Sequence, residues 1–224
     1  MHLQTSDQDK LKLGFGDNTC NWGTHIAALY ETIAERDEII MGFLHEGDVQ
    51  NDLQIYFPAE RTAENFKEEY ASRYPDYKEN LHDRKKFSIG SPAEFYYPDG
   101  VFLPERMLKN HEAYYAESQK DGKRNIRATA EMVWALQAIK GVEHLMAYES
   151  RLNYFFPGKP WLSICLYNIT KFPGNIIINV LRTHPYTLSG GAIIRNPYFI
   201  DPDEYLRKYY PEFLAKQYSY ESGI

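Results

Sequence analysis

Residues 36–57 read RDEIIMGFLHEGDVQNDLQIYF, and the fold class turns on this stretch. Ile39, Ile40, Phe43 and Leu44 recur at the spacing of one helical face, in a helix that begins near Ile33, because side chains three and four apart lie above one another on a helix. Gly47 is the expected stop for that helix at Glu46, since glycine takes the left-handed backbone angles that close a helix. DLQIYF at 52–57 then reads as a buried strand. A helix running straight into a strand is half of a βαβ unit.

The same rhythm continues outward. Thr62 caps a helix, TAENFKEEYASRY, that Pro75 ends, FSIG at 87–90 reads as a short strand, and EFYYPDG at 94–100 reads as a strand-like turn. A helix is expected over Pro104–Gln119, with proline in its first turn and Asp121-Gly122 as its stop. NIRATAEMVWAL at 125–136 carries a strand into a helical stretch, and Glu143–Phe155 reads as helix up to Pro157. WLSICLY at 161–167 is an apolar strand, PGNIIINVLRTH at 173–184 a helix, TLSGGAII at 187–194 a hairpin, and the charge-balanced DEYLRKYYPEFLAKQY at 203–218 a docked helix. Before the deciding stretch, Asn18–Tyr30 is ambiguous in period. Alternation at this spacing predicts an α/β fold with a mainly parallel, twisted sheet, helices on both faces and an antiparallel hairpin at one edge.

A chain of 224 residues with 43% hydrophobic and 25% charged residues is one globular domain. Lys+Arg 25 against Asp+Glu 31 gives a net charge of -6, the wrong sign for attraction to phosphate backbones, so no direct nucleic-acid partner is expected. The N-terminus lacks an apolar core for export, and no apolar run approaches the roughly 18 residues of a membrane span, so the cytoplasm is expected and no membrane. Cys20 and Cys165 are expected reduced and unpaired there. There is no GxxxxGK[ST] loop, GxSxG, HExxH, CxxC or HRD motif, and GFGDNT at 14–19 lacks the third glycine of a dinucleotide fingerprint. Aromatic residues reach 15%, with 19 Tyr, enough to line a pocket as well as fill a core.

Four polar-rich segments hold the candidate site residues. Cys20 and His25, near a predicted turn, are a thiol and an imidazole that could serve a metal, a haem or nucleophilic chemistry, although two ligands do not complete a zinc site. Arg127, Glu131 and Trp134 fall at i, i+4 and i+7, which in a helix sets an ion pair beside an indole, or simply an ion pair over a core ring. Glu149 and Asn153 share a helical face after Tyr148, as a ligand contact or as a structural network. Arg182 and His184 precede Pro185, which forces an extended chain, and could bind an anion or tie helix carbonyls. Polar groups buried unpaired are costly, so Glu131, Glu149, Asn153, Arg182 and His184 are expected to meet in one cluster beside Trp134 and Tyr148, with His25 at its margin. That cluster would be the polar end of a ligand pocket with aromatic walls, or structural glue. No catalytic residue is assigned and no cofactor is named.

THIAALYE at 24–31, the deciding stretch, RATAEMVW, YESRLN, ICLYN, RTHPY and NPYF together resemble the MEDS family, the sensory domain of methanogens, methylotrophs and a dichloromethane-responsive repressor. The resemblance runs from about Gly14 to Tyr205. It implies a fold related to the RecA and KaiC ATPases with the phosphate loop lost, and a role in sensing small hydrocarbon derivatives or related metabolites. Relatives often carry cysteine two residues after the histidine of the THI motif, where this chain has Ala27. The resulting expectations are a tail over residues 1–13, one sensory domain over 14–214, and a C-terminal tail over 215–224. A small molecule would enter at the C-terminal ends of the strands, and the signal would pass to a separate kinase or transcription regulator, since only about 13 residues precede the matched region and about 20 follow it. A second copy of the chain is a further candidate partner. Two other readings stay open: an enzyme, a transferase or hydrolase, using His25, Glu131, Glu149 and His184 as acid/base groups, and a scaffold that holds ATP or a similar anion through Arg127 or Arg182 without hydrolysing it.

Overall fold

The structure is a computed structural model that describes residues 10–120 and 123–214. The expectations for residues 1–9, for Asp121-Gly122 and for residues 215–224 lie outside the described residues. Strands β1 (Leu11–Lys12) and β2 (Thr19–Cys20) form a small antiparallel ladder. The main sheet contains β3 (His25–Tyr30), β4 (Leu53–Phe57), β5 (Phe87–Ile89), β6 (Ile126–Glu131), β7 (Trp161–Asn168), β8 (Tyr186–Ser189) and β9 (Ala192–Arg195), in the order β5-β4-β6-β7-β3-β8-β9. Every neighbouring pair is parallel except β8 with β9, the predicted edge hairpin. Helices α1 (Ile33–Gln50), α2 (Ala63–Arg73), α3 (Pro92–Tyr96), α4 (Pro104–Lys120), α5 (Leu145–Phe155), α6 (Gly174–Thr183) and α7 (Pro202–Tyr209) complete the described elements, with short 3-10 turns between several of them.

Two apolar layers flank the sheet. On one face Ile40, Phe43 and Leu44 of α1 and Phe66 and Tyr70 of α2 pack on Ile26, Ile164 and Leu166. On the other, Met107 of α4, Leu145 and Leu152 of α5, Val180 of α6 and Tyr205 of α7 pack on Ala27, Ala128, Cys165 and Tyr167. Burying a side chain of this size contributes about 1.5–3 kcal/mol, so the two layers, rather than local helix propensity, hold the elements in place. α1 begins with a capping box, Thr32 accepting from the Glu35 amide while Glu35 accepts from the Thr32 amide.

The elements depart from the sequence reading in several places, and the docked helix read over 203–218 already stops at Tyr209. α1 runs through Gly47 to Gln50 and closes on Asn51 in the left-handed conformation, φ 57°. Gly47 is needed for its size: a Cβ there would sit 3.0 Å from Gln54 Cγ and 3.1 Å from Arg127 Cδ. Residues 94–100 begin inside a short helix, α3, started by a capping box of Ser91 and Glu94. Arg127 and Glu131 lie on strand β6, and Trp134 in the 3-10 turn that follows, so the three share no helical face. The fold also begins before residue 14, because β1 is paired with β2 and Leu13 is fully buried.

Candidate functional site

The two-residue alternation of strands sets up the site. In β3 and β7, His25, Ala27, Trp161, Ser163, Cys165 and Tyr167 alternate with residues of the α1 layer and so face α5. Cys165 is registered between Ala27 on β3 and Ala130 on β6, so the sheet is thin around its thiol. α5 lies above this patch and is buried nearly all round, including its polar Glu149, Ser150 and Arg151. His184 is the C-cap of α6, where the chain turns back towards β8.

Four side chains from four elements converge there: His25, Glu149, Cys165 and His184, all buried, each offering an atom within 4.8 Å of the others. Glu149 Oε2 is 3.2 Å from His25 Nε2 and 3.5 Å from His184 Nε2. Cys165 Sγ is 3.6 Å from His25 Nε2 and 3.9 Å from Glu149 Oε2. Tyr167 donates its hydroxyl to Glu149 Oε1 at 3.1 Å. Asn153 spans the rim: Nδ2 donates to the carbonyls of Glu149, Ser150 and Thr183, and Oδ1 lies 3.3 Å from His25 Nδ1. Burial, with the charge of His184, holds the His25 imidazole down at about 4. Burial pushes the Glu149 carboxyl up, but the imidazoles of His184 and His25, when protonated, outweigh it and pull the group below the usual carboxylate range. Burial and the neighbouring Glu149 push the Cys165 thiol well up.

A family model described as MEDS, methanogen/methylotroph, DcmR sensory domain, matches residues 24–185. The chain belongs to the MEDS family. It is 22% identical over 164 residues to the transcriptional repressor DcmR of Methylorubrum extorquens, an alignment covering 73% of this chain and 58% of that protein, so it spans little more than half of its relative. Two solved structures share the fold. One is an uncharacterized protein, PH0321, from Pyrococcus horikoshii in complex with an unknown peptide, with a TM-score of 0.53 and 16% identity over 78% of this chain and 82% of that one. The other is the flagellar accessory protein FlaH from Methanocaldococcus jannaschii, with a TM-score of 0.50 and 17% identity over 86% of this chain and 82% of that one. The architecture is RecA-like α/β, in a chain without the phosphate-loop motif.

In this MEDS domain His25, Glu149, Asn153 and His184 meet, with His25 inside the cluster rather than at its margin. Cys165, which sequence reading passed over as part of an apolar strand, joins them; Cys20 does not. Cys20 lies on β2, and burial pushes its thiol up to about 12. Neither cysteine is in a disulfide. Ala27, where the resemblance leads one to expect a cysteine, has Cys165 as its in-register neighbour, so a thiol does reach this spot from the next strand.

Glu131 lies on the opposite side of the sheet. It accepts from Tyr56 Oη at 2.5 Å and from the amides of Ala59 and Glu60 at 2.8 and 2.5 Å, with Arg36 Nε at 3.7 Å. The four acid/base candidates of the enzyme reading therefore do not share one site. Arg182 stacks on Tyr209 and reaches Asn179, away from the cluster. Arg127 is engaged by Asp52 at 2.8 Å and by the Lys12 carbonyl at 3.0 Å. At the start of α1 the amides of Glu31 and Thr32 donate to the Glu35 carboxylate, and the Glu35 amide donates to Thr32 Oγ1.

Trp134 stacks on Tyr96, 4.5 Å between ring centroids, and Tyr148 meets Phe102 edge to face. Both belong to an aromatic layer whose lower edge opens a small cavity of about 20 Å³, room for about one water-sized molecule. Its floor is Ala128 and Ala130, its walls include Phe57, Tyr96, Tyr148 and Trp161, and Glu149 and Cys165 close one end. Among the described residues the Trp161 indole N–H has no hydrogen-bond partner. The cavity lies against the sheet face beneath α3, α4 and α5 and reaches Phe57 and Ala130 near the C-terminal ends of β4 and β6, while Tyr30, Glu60, Glu131 and Lys171 on the other side are tied to one another.

Proposed function

We propose that this MEDS domain is a sensor that holds a small, weakly polar molecule, a hydrocarbon derivative or related metabolite, in the aromatic cavity against Ala128 and Ala130, and signals through a protein partner. The observation that carries the reading is a ring-walled cavity into which a few buried polar groups converge, among them the Glu149 carboxylate, the Cys165 thiol and His111, the composition of a small-molecule site. The similarity to a transcriptional repressor supports a regulator as the partner. The cavity as it stands has room for about one water-sized group, so a larger resident requires Tyr96 and Tyr148 to swing aside, and ligand entry would move α3 and α5, which carry those rings.

A thermal-shift screen of small halogenated, methylated and hydroxylated compounds tests it, because a ligand that binds only the folded state raises the midpoint, by about 2.7 kcal/mol of stability at a hundredfold excess over Kd. A hit is expected in the wild type and should disappear in Ala130→Val, which fills the floor. A hit that persists unchanged in Ala130→Val would place the ligand elsewhere.

A further inference from the structure

The two imidazoles of the buried cluster are held with their lone pairs inward. The amide of Asn153 donates through Nδ2 to three backbone carbonyls, so its Oδ1 is the acceptor that faces His25 Nδ1, and that nitrogen must carry the hydrogen. His184 Nδ1 lies 2.8 Å from the Val180 carbonyl, an acceptor only, so it too carries the hydrogen. Each neutral ring is left with a bare Nε2, and both Nε2 atoms point at Glu149 Oε2, at 3.2 and 3.5 Å. Among the described residues His184 Nε2, fully buried, has no hydrogen-bond partner. Acceptors facing acceptors in a dry interior repel one another unless a cation lies between them.

The spacing suits such a cation. Around a tetrahedral zinc ion, ordinary bond lengths place N and O ligand atoms about 3.3 Å apart and pairs that include sulfur about 3.5 Å apart. Four of the six edges of the cluster are 3.2 and 3.5 Å for N–O, 3.6 Å for N–S and 3.9 Å for O–S, and all six lie within 4.8 Å. The geometry points to a metal site: His25 Nε2, Glu149 Oε2, Cys165 Sγ and His184 Nε2 bind one divalent transition-metal ion, zinc by preference. Asn153, the Val180 carbonyl and the Tyr167 hydroxyl orient the ligands from behind, as outer hydrogen bonds do at metal centres. Imidazole and thiolate donors select zinc over magnesium or calcium, and a dication offsets the carboxylate and the thiolate that Cys165 becomes when its proton leaves to solvent on binding. Because Glu149 and Cys165 also close the aromatic cavity, the ion would form its polar end. The metal assignment stands on ligand geometry and does not rest on the sensory reading.

The full chain, refolded or expressed with zinc and desalted without chelator, is expected to hold one zinc per chain by elemental analysis. Cobalt(II) in its place should give the strong visible bands of a tetrahedral site together with a thiolate-to-cobalt charge-transfer band. Cys165→Ala, which leaves a small gap beside Ala27 and Ala130, should remove the charge-transfer band and weaken zinc by about tenfold or more. Glu149→Gln, of the same shape, should weaken both metals and serves if the cysteine variant does not fold. Folded wild-type protein that takes up less than half an equivalent of zinc overturns the site and leaves a shared proton as the cation. So does wild-type occupancy retained in the folded variants. Neither result bears on the compound screen, so the two proposals fail separately.

Discussion

His111 couples folding to pH from within the apolar layer. Its Nδ1 lies 2.8 Å from the Met107 carbonyl and its ring stacks on Trp161, 5.3 Å between centroids. Burial brings the imidazole from 6.5 down to about 4. An unfolded chain therefore takes up a proton below about pH 6.5 that the folded chain refuses until about pH 4, and stability falls as pH drops through that window. Between pH 7 and pH 5 the wild type should lose about 2 kcal/mol to this one residue. His111→Phe should recover that part of the loss in urea titrations at the two pH values, and parallel losses in the two proteins would exclude His111 as the source. At the same scale, the convergence of Glu149, Asn153 and His184 was legible in the sequence, since polar groups fated for an apolar interior need partners. Cys165 was not, because its nearness to His25 comes from strand register across 140 positions, whereas Cys20 is near His25 only along the chain. The hint was the alternation inside WLSICLY, which puts Ser163 and Cys165 on the same side as two large rings.

Elements are held to each other here by a few buried polar ties as well as by apolar layers. Arg127 of β6 is fully buried and paired with Asp52 at 2.8 Å, and its guanidinium lies 5.3 Å from the Phe43 ring of α1. Asp52→Ala removes the counter-charge and leaves a buried cation, which should cost about 3–5 kcal/mol in equilibrium unfolding; a loss below about 1 kcal/mol would mean that water reaches the guanidinium. Gly47 is decided by two opposed effects. Alanine gains about 1 kcal/mol of helix propensity over glycine, but its methyl would press on Gln54 and Arg127, both pinned by Asp48 and Asp52 at 2.6 and 2.8 Å. Overpacking of that kind costs about 1–3 kcal/mol, so Gly47→Ala should be neutral to destabilising, and a stabilised variant would show that the two side chains give way freely. Most helices and strands were legible from period and caps, because those signals are local. The helix at α3 was missed because aromatic residues in EFYYP read as strand-like, while its capping box lies just upstream at Ser91–Glu94. Glu131 was assigned to the wrong cluster because strand alternation, not helical spacing, governs β6 and sends its side chain to the α1 side.

On the scale of the whole molecule, the sheet divides the polar groups into two systems: the His25, Glu149, Cys165 and His184 cluster beneath α5, and the Glu131 network on the α1 side. The alternation of strands and helices made the parallel sheet legible, but neither the face on which each polar residue falls nor the place where the domain starts follows from local pattern alone. The domain start gives the last prediction. A boundary at residue 14 would remove β1, whose Leu11 and Lys12 pair with Cys20 and Thr19, and with it Leu13, which is fully buried in the α1 layer. It would also remove the Lys12 carbonyl, 3.0 Å from Arg127 Nη1, at a guanidinium whose Nη2 already has no hydrogen-bond partner among the described residues. Burial of one leucine contributes about 1.5–3 kcal/mol, and a buried charged donor left unsatisfied costs about 1–3 kcal/mol or more. A chain beginning at residue 14 should therefore be less stable than the full chain by about 3–5 kcal/mol in urea unfolding, with Leu13→Ala in the full chain accounting for about half of the loss. Equal stability of the two chains would show that β1 lies on the domain without contributing to its fold.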